Sequence, residues 1–377
     1  MDLLATDDQT FLWDTTRTFL ERECPLTTVR ELAGSADGFD RDFWRQGASL
    51  GWTSLLVPEA LGGGAITGTG VADLAGLAEV FGAHAAPGPL LPTNVVAAAL
   101  ARRGTAEQQA ELVGGLLSGE TVAAWAHAQP ARPALAPPAG VTATRDGDDL
   151  VLTGVKAPVE AGAQADVLLV TAATTDGPVQ VLVDPRGPGV AVTPLESVDL
   201  ARRYARVELD GARVPASAVV GDPATGRDDI EWQLQLAAVV QSAEIVGAAQ
   251  VAFDLTLAWT FDRYTFGRPL ASYQAIKHRV ADMRLWLEAG HALAAAAAAD
   301  LDAGAAAGPE VASAAKAYTG EHLTDLVQEC IQLHGGIGLT YDHDLHLFLR
   351  RVVADRVTHG TPAEHRMRVT DFRELAS

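Results

Sequence analysis

The feature that most constrains this chain is a change of hydrophobic period within it: a helical repeat, then strand-like segments, then a helical repeat again. From residue 7 to about 119, apolar residues return at three- and four-residue steps. They begin with Phe11, Thr15, Phe19 and Leu20, and acidic residues occupy the first turn, which predicts helices. GWTSLLVPEALGGG, residues 51–64, interrupts the pattern; Pro58 and the closing glycines predict a long ordered loop before a new helix from about Val71. QPARPALAPPAG, residues 129–140, carries prolines that neither continue a helix nor donate to a ladder, so a domain boundary is expected nearby. Beyond it, VTATRDGDDLVLTGVK sets Asp146-Gly147 between β-rich runs, the composition of a tight hairpin. ADVLLVTA, VQVLVDP, GVAVTPL and ARVELDG continue the series with no helix between them. GDPATGR, residues 221–227, then returns the chain to helices expected over 230–264, 273–301, 311–333 and 345–357. The expected fold is mainly α with a β-domain: an N-terminal helical domain (1–119), a central antiparallel β-barrel or sandwich (120–224) and a C-terminal helical bundle (225–377). The alanine run over 294–299 is expected to allow close helix packing.

Charge excludes some functions. With 28 Lys plus Arg against 48 Asp plus Glu, the net charge is 28 − 48 = −20, which argues against a nucleic-acid partner or an anionic membrane surface. A local basic groove holding one phosphate-bearing cofactor remains compatible with it. Hydrophobic residues at 48% and charged residues at 20% are globular values and argue against disorder. The N-terminal stretch is acidic and periodic, unlike a signal peptide, and no apolar run reaches the length of a membrane span, so a cytoplasmic location is expected. Cys24 and Cys330 stand far apart, which suggests neither a disulfide framework nor a zinc knuckle.

Two strings in the second half suit a dinucleotide. In DRYTFGRPLASYQAIKHRVADM, Arg263 offers a fork of donors suited to pyrophosphate and Phe266 a ring face, while Gly267 and Pro269 are expected to end the preceding helix. Gln274, expected one turn into the next helix, can bond an amide or hydroxyl. In QECIQLHGGIGLTYDHDLHLFLRR, Gln332 ends a helix and Gly335-Gly336 permit a ligand to approach backbone N–H groups. These strings, with LLVPEALGGG near the N-terminus and VPASAVVG at 214–221, resemble the FAD-dependent acyl-CoA dehydrogenase family in order and spacing over essentially the whole chain. The resemblance implies tetramers with FAD between subunits. By it, Arg263, Phe266, Gln274, Gln332, Gly335 and Gly336 match positions that reach across a dimer interface to the adenine and pyrophosphate side of a neighbour's FAD.

Other positions depart from that family. Its usual base lies in Glu-Gly-Thr, where this chain has His359-Gly360-Thr361, and its alternative helix Glu aligns with Ala237. Glu244 lies two turns beyond Ala237, about 10 Å along a helix. Ala238 stands where many members carry an Arg toward the acyl-CoA. Ala128-Gln129-Pro130 replaces Thr-Glu-Pro, and Pro158, Val159 and Glu160 replace residues that cover the flavin ring. A carboxylate at Glu160 is also expected to disfavour an anionic reduced flavin. The string over 341–346 brings His and Asp together, but no metal is expected: it coincides with the family's loop and helix start, where Asp342 or Asp344 is the expected cap.

The expected function is an FAD-binding subunit of an acyl-CoA dehydrogenase, lacking its own base and completing the site of a homologous catalytic partner in an α2β2 assembly. Steroid side-chain thioesters are a candidate substrate class, and electron-transfer flavoprotein is the expected acceptor. Two alternatives stand beside it: a homotetramer with a replaced or shifted base, His359 or Glu244, and a scaffold that binds no flavin.

Overall fold

The computed structural model describes residues 5–64 and 68–376. Among these, the helices before the sheet are α1 (Asp7–Glu23), α2 (Leu26–Leu32), α3 (Arg41–Ser49), α4 (Gly70–Ala83), α5 (Leu90–Arg103) and α6 (Ala106–Ser118). The main sheet is built from β1 (Ala123–Ala126), β2 (Val141–Asp146), β3 (Asp149–Glu160), β4 (Val167–Ala173), β5 (Pro178–Val183), β6 (Val190–Leu195), β7 (Tyr204–Pro215) and β8 (Val219–Val220). After it come α7 (Gly226–Asp262), a small hairpin of β9 (Tyr264–Thr265) and β10 (Arg268–Pro269), then α8 (Gln274–Asp302) and α9 (Gly308–Tyr318). A π-helical turn, Thr319–Leu323, joins α9 to α10 (Thr324–His334), and α11 (Leu345–Val357) and α12 (Pro362–Ala376) close the series. The chain divides into two compact units, one of Met1–Val29, Ala75–Ala86 and Ala238–Ser377, the other of Arg30–Leu74 and Pro87–Ala237.

In the first, helical unit, α1 starts at a capping box in which Thr6 and Gln9 satisfy each other's backbone N–H groups. Its buried stripe is Leu12, Trp13, Thr16, Phe19 and Leu20, so Phe11, expected inside, is 74% exposed. Phe19 and Leu20 lie on the buried face as expected, while Leu12, Trp13 and Thr16 take the inward positions expected of Phe11 and Thr15. Glycines bring α4 and α7 together: a Cβ on Gly82 would strike the Glu244 carbonyl, and one on Gly247 the Glu79 carbonyl. Ala294, Ala297 and Ala298 of the alanine run are buried. Helix α7 is long and apolar enough to cross a membrane by composition, which a count of consecutive apolar residues did not reveal. Its most apolar window, however, is 89% buried within the protein.

The second unit carries the sheet in the order β6-β7-β3-β2-β4-β5-β8, with β1 paired to β4. The long β3–β7 ladder runs antiparallel from Asp149↔Pro215 to Glu160↔Tyr204. The expected hairpin forms, with Asp146 opposite Asp149 across the turn. Two contacts, β1 with β4 and β2 with β4, are parallel, an addition to the expected antiparallel plan. The proline-rich stretch follows β1, and so interrupts the sheet's connectivity rather than preceding it. Leu152, Val159, Leu168, Val170, Val181, Val207 and Leu209 form the core, each worth about 1.5–3 kcal/mol when fully buried.

Candidate functional site

Helix α7 ends at Asp262, earlier than expected, because the chain turns into the β9–β10 hairpin. Gly267 and Pro269 therefore shape a tight turn rather than a helix end. Phe266 sits at the turn with φ +51 and Gly267 with φ +80. Left-handed backbone is strained for a bulky aromatic residue, and this one is 94% exposed. The hairpin is tied to the next helix by Tyr273, whose hydroxyl donates to the Thr265 carbonyl at 2.7 Å. Gln274 is the first residue of α8, a turn earlier than expected, and is exposed. Arg263, also exposed, lies over the Trp259 ring at 5.8 Å and pairs with no carboxylate among the described residues.

The second string folds beside the first. Helix α10 ends at His334, whose ring stacks on Trp259 at 5.1 Å and 16°. Gln332 is exposed on the last turn. Gly335 has φ +68, a conformation that requires glycine. Gly336 has no such constraint, and a Cβ built on it meets nothing within 4 Å. The absence of a side chain at Gly336 therefore serves no packing inside this chain. Exposed guanidinium, exposed ring, unobstructed glycine backbone and two exposed amides fit a dinucleotide that arrives from outside. Arg263, Phe266, Gln274, Gln332, Gly335 and Gly336, the six residues expected to meet a dinucleotide, thus lie at the end of α7, the hairpin, the start of α8 and the end of α10.

The positions around the family's reacting centre are arranged differently. Ala237 and Ala238 are buried in packing. Glu244, the candidate for a displaced base, is 2% exposed and bonded by Arg351 at 2.6 Å, while Arg351 also donates to the Ala85 and Ala86 carbonyls at 3.1 and 3.0 Å. His359, half-buried with φ +55, lies between α11 and α12. Its carbonyl is 3.1 Å from His365 Nε2, and the preceding Thr358 hydroxyl accepts from Gln241 at 2.6 Å. Burial and the neighbouring Lys316 charge push His365 down to about 3.

In the sheet unit, Gln129 is buried and spends its amide on the proline-rich loop. Its oxygen accepts from Ala139 N at 2.7 Å and from Gly140 N, and its nitrogen donates to the Pro137 carbonyl at 3.3 Å. Glu160 is 8% exposed and faces Arg202, 6% exposed, at 3.5 Å. The Glu160 carboxylate, expected to be unneutralised, is thus faced by a buried cation. Lys156 donates to the His127 carbonyl at 3.0 Å, and burial pushes it down to about 7.

Sequence reasoning missed Trp259, Arg202, Arg351 and His365. Asp344 is the N-cap residue of α11, one of the two aspartates expected there, but its side chain makes no capping bond, and Leu345 N donates to His343 Nδ1 at 3.2 Å. The four-residue spacing of Trp259 and Arg263 was a usable signal. Among the described residues no group of three or more His, Cys, Asp or Glu could hold a metal.

A helical unit carrying these exposed residues is joined in one chain to a largely antiparallel sheet, in helix-sheet-helix order. Family models for the acyl-CoA dehydrogenase N-terminal and C-terminal domains match residues 6–120 and 224–372. Acyl-CoA dehydrogenase FadE27 of Mycobacterium tuberculosis is 31% identical over 362 residues, covering 92% of each chain. A solved structure of a Tcur3481-Tcur3483 steroid ACAD variant matches with a TM-score of 0.88 and 31% identity, covering 98% of this chain and 99% of that one. The ChsE4-ChsE5 complex of the same mycobacterium matches with a TM-score of 0.88 and 29% identity, covering 100% and 99%. The chain belongs to the acyl-CoA dehydrogenase family of FAD-dependent oxidoreductases.

Proposed function

We propose that this chain is a flavin-completing subunit that lacks its own base. It secures, from outside, an FAD held mainly by a homologous catalytic partner in an α2β2 acyl-CoA dehydrogenase. The complex oxidises an acyl-CoA to the 2,3-enoyl-CoA in the cytoplasm and passes electrons to an electron-transfer flavoprotein. Two structural relatives carry paired names, Tcur3481-Tcur3483 and ChsE4-ChsE5, and the first is a steroid ACAD. That likeness favours a steroid side-chain thioester as substrate.

The observation that carries this reading is the Glu160–Arg202 pair, buried at 8% and 6% exposure where the family covers its flavin ring. There the two charged side chains face each other in low dielectric, so neither is held open for a ligand. Arg263, Phe266, Gln274, Gln332, Gly335 and Gly336, the cradle residues, in contrast, face outward and are unspent. Exposed Phe261, Tyr264, Phe266, Ile337, Leu339 and Tyr341 supply the apolar surface that a partner would cover.

FAD per polypeptide, measured by visible absorbance on the chain alone and co-purified with a homologous subunit, tests the proposal. Flavin appearing only with the partner, at about half an equivalent per total chain, supports it; about one equivalent in the lone chain overturns it. One observation favours a second reading, a homotetramer with His359 as base: its left-handed backbone, held through His365. A large loss of turnover in His359→Ala, together with full flavin in the lone chain, would establish that reading. A scaffold that binds no flavin requires Arg263→Ala to leave cofactor content unchanged in every complex.

A further inference from the structure

Three separate elements meet behind the cradle: the end of α7, the end of α10 and the start of α11. Their junction is a column of rings. Trp259 stacks on His334 at 5.1 Å and 16°, and His343 meets His334 edge to face at 4.6 Å and 65°. Each imidazole is also fixed by backbone. His334 Nδ1 lies 2.9 Å from the Cys330 carbonyl, an acceptor only, so Nδ1 carries the proton. Burial pushes His334 below the usual histidine range, against the opposing pull of the carbonyl bond. His343 has the reverse arrangement, its Nδ1 accepting from Leu345 N at 3.2 Å.

The column touches both halves of the cradle without belonging to either. Arg263 N donates to the Trp259 carbonyl at 2.9 Å, and the Arg263 guanidinium lies over the same indole. His334 directly precedes Gly335, whose left-handed turn sets the course of the Gly335-Gly336 backbone. Moving the His334 ring moves that turn relative to Arg263. A dinucleotide that must reach a guanidinium and a backbone edge at once depends on their separation, because binding rewards a spacing held before the ligand arrives.

We propose that His334 and His343 are positioning residues that, through Trp259, fix the spacing between Arg263 and the Gly335-Gly336 turn for a flavin nucleotide. The inference rests on the reading of this cradle as an FAD contact. His334 supplies the stacking surface. His343 braces its edge and anchors it to α11.

The test is FAD affinity of the co-purified heteromeric complex, by fluorescence titration of the stripped complex with FAD, for Arg263→Ala, His334→Leu, His334→Phe and His343→Ala. Thermal midpoint and assembly state are measured on each. Loss of one aromatic stack predicts an affinity loss of roughly tenfold in His334→Leu. His334→Phe, which keeps a flat ring, restores most of it, and His343→Ala gives a smaller loss; midpoint and assembly stay within wild-type range for all three. If Arg263→Ala weakens FAD and His334→Leu does not, the positioning role is overturned while the cradle stands. If Arg263→Ala has no effect, the cradle reading itself fails. A His334→Leu loss that Phe does not rescue, accompanied by a lower midpoint, marks a merely structural residue and also overturns the proposal.

Discussion

The cradle on the helical unit and the segments around Gln129 and Glu160 in the sheet unit treat polar groups in opposite ways. Arg263, Gln274 and Gln332 are exposed, and Gly336 forgoes a side chain that the chain has room for. Gln129, Lys156, Glu160 and Arg202 are buried, and each is engaged by its own unit. A buried polar group must find a partner or pay its full desolvation cost, so groups meant for a ligand are either left at the surface or left unsatisfied until it arrives. On the proposed function, the difference separates a region left to a ligand from one engaged by its own unit. Gln129 is the clearest case: an amide oxygen already accepting from two backbone N–H groups has little capacity left for an isoalloxazine.

Breaking the closed region is expected to give the largest effect on stability. Arg202→Met removes the cation facing Glu160 and leaves its carboxylate buried, which should cost about 3–5 kcal/mol in chemical denaturation. FAD content of the assembled complex should not change in the fraction that folds. A variant that gains flavin in the lone chain would mean that the pair was gating a functional ring site.

A somewhat smaller effect is expected at Lys156, and its sign depends on pH. Burial lowers the folded-state value to about 7 from 10.5. Between those values the unfolded chain binds more protons than the folded one, so this residue makes stability rise with pH across that window. Below about pH 7 the cost of burying the charge is complete. Lys156→Met should therefore stabilise the protein by roughly 3 kcal/mol at pH 6, after allowing for the lost bond to the His127 carbonyl, with the gain fading toward pH 10.5. Urea unfolding at both pH values measures it, and an equal gain at both would show that the ammonium pays no burial cost.

What could be read from the sequence follows the range of the interactions involved. Helix and strand periods, the Asp146 hairpin and the two strings at Arg263 and Gln332 are local patterns, and local patterns are written in consecutive residues. The Glu244–Arg351 bond joins residues 107 apart, and nothing near either residue announces the other. The same holds for Glu160 and Arg202, which is why Glu160 read as an unneutralised carboxylate. Boundaries failed for a different reason. Gly267 and Pro269 read as a helix end, but Phe266 and Gly267 form a two-residue turn with both φ values positive, which ends α7 early and leaves Gln274 at the first position of α8. Asp344 stands at the expected N-cap of α11, but the Leu345 N–H goes to the His343 ring and not to its carboxylate, a choice that no local pattern announces.

The smallest change gives the sharpest separation of the two regions. Gly336 is not in left-handed backbone, and a Cβ there meets no atom within 4 Å, so Gly336→Ala should fold without strain. By narrowing the unfolded ensemble it should leave stability unchanged or raise it by about 0.4–1 kcal/mol. The added methyl would stand where a pyrophosphate must approach the backbone, and a lost or stretched hydrogen bond to a charged group costs about 1.5–3 kcal/mol, a fall in FAD affinity of roughly ten- to a hundredfold. Stability and cofactor affinity would then move in opposite directions, which general damage to the fold cannot produce. Calorimetry and FAD titration on the same co-purified complex measure both. If affinity is unchanged, the open space over Gly336 is not a ligand's space, and the contrast between an open and a closed region loses its functional meaning.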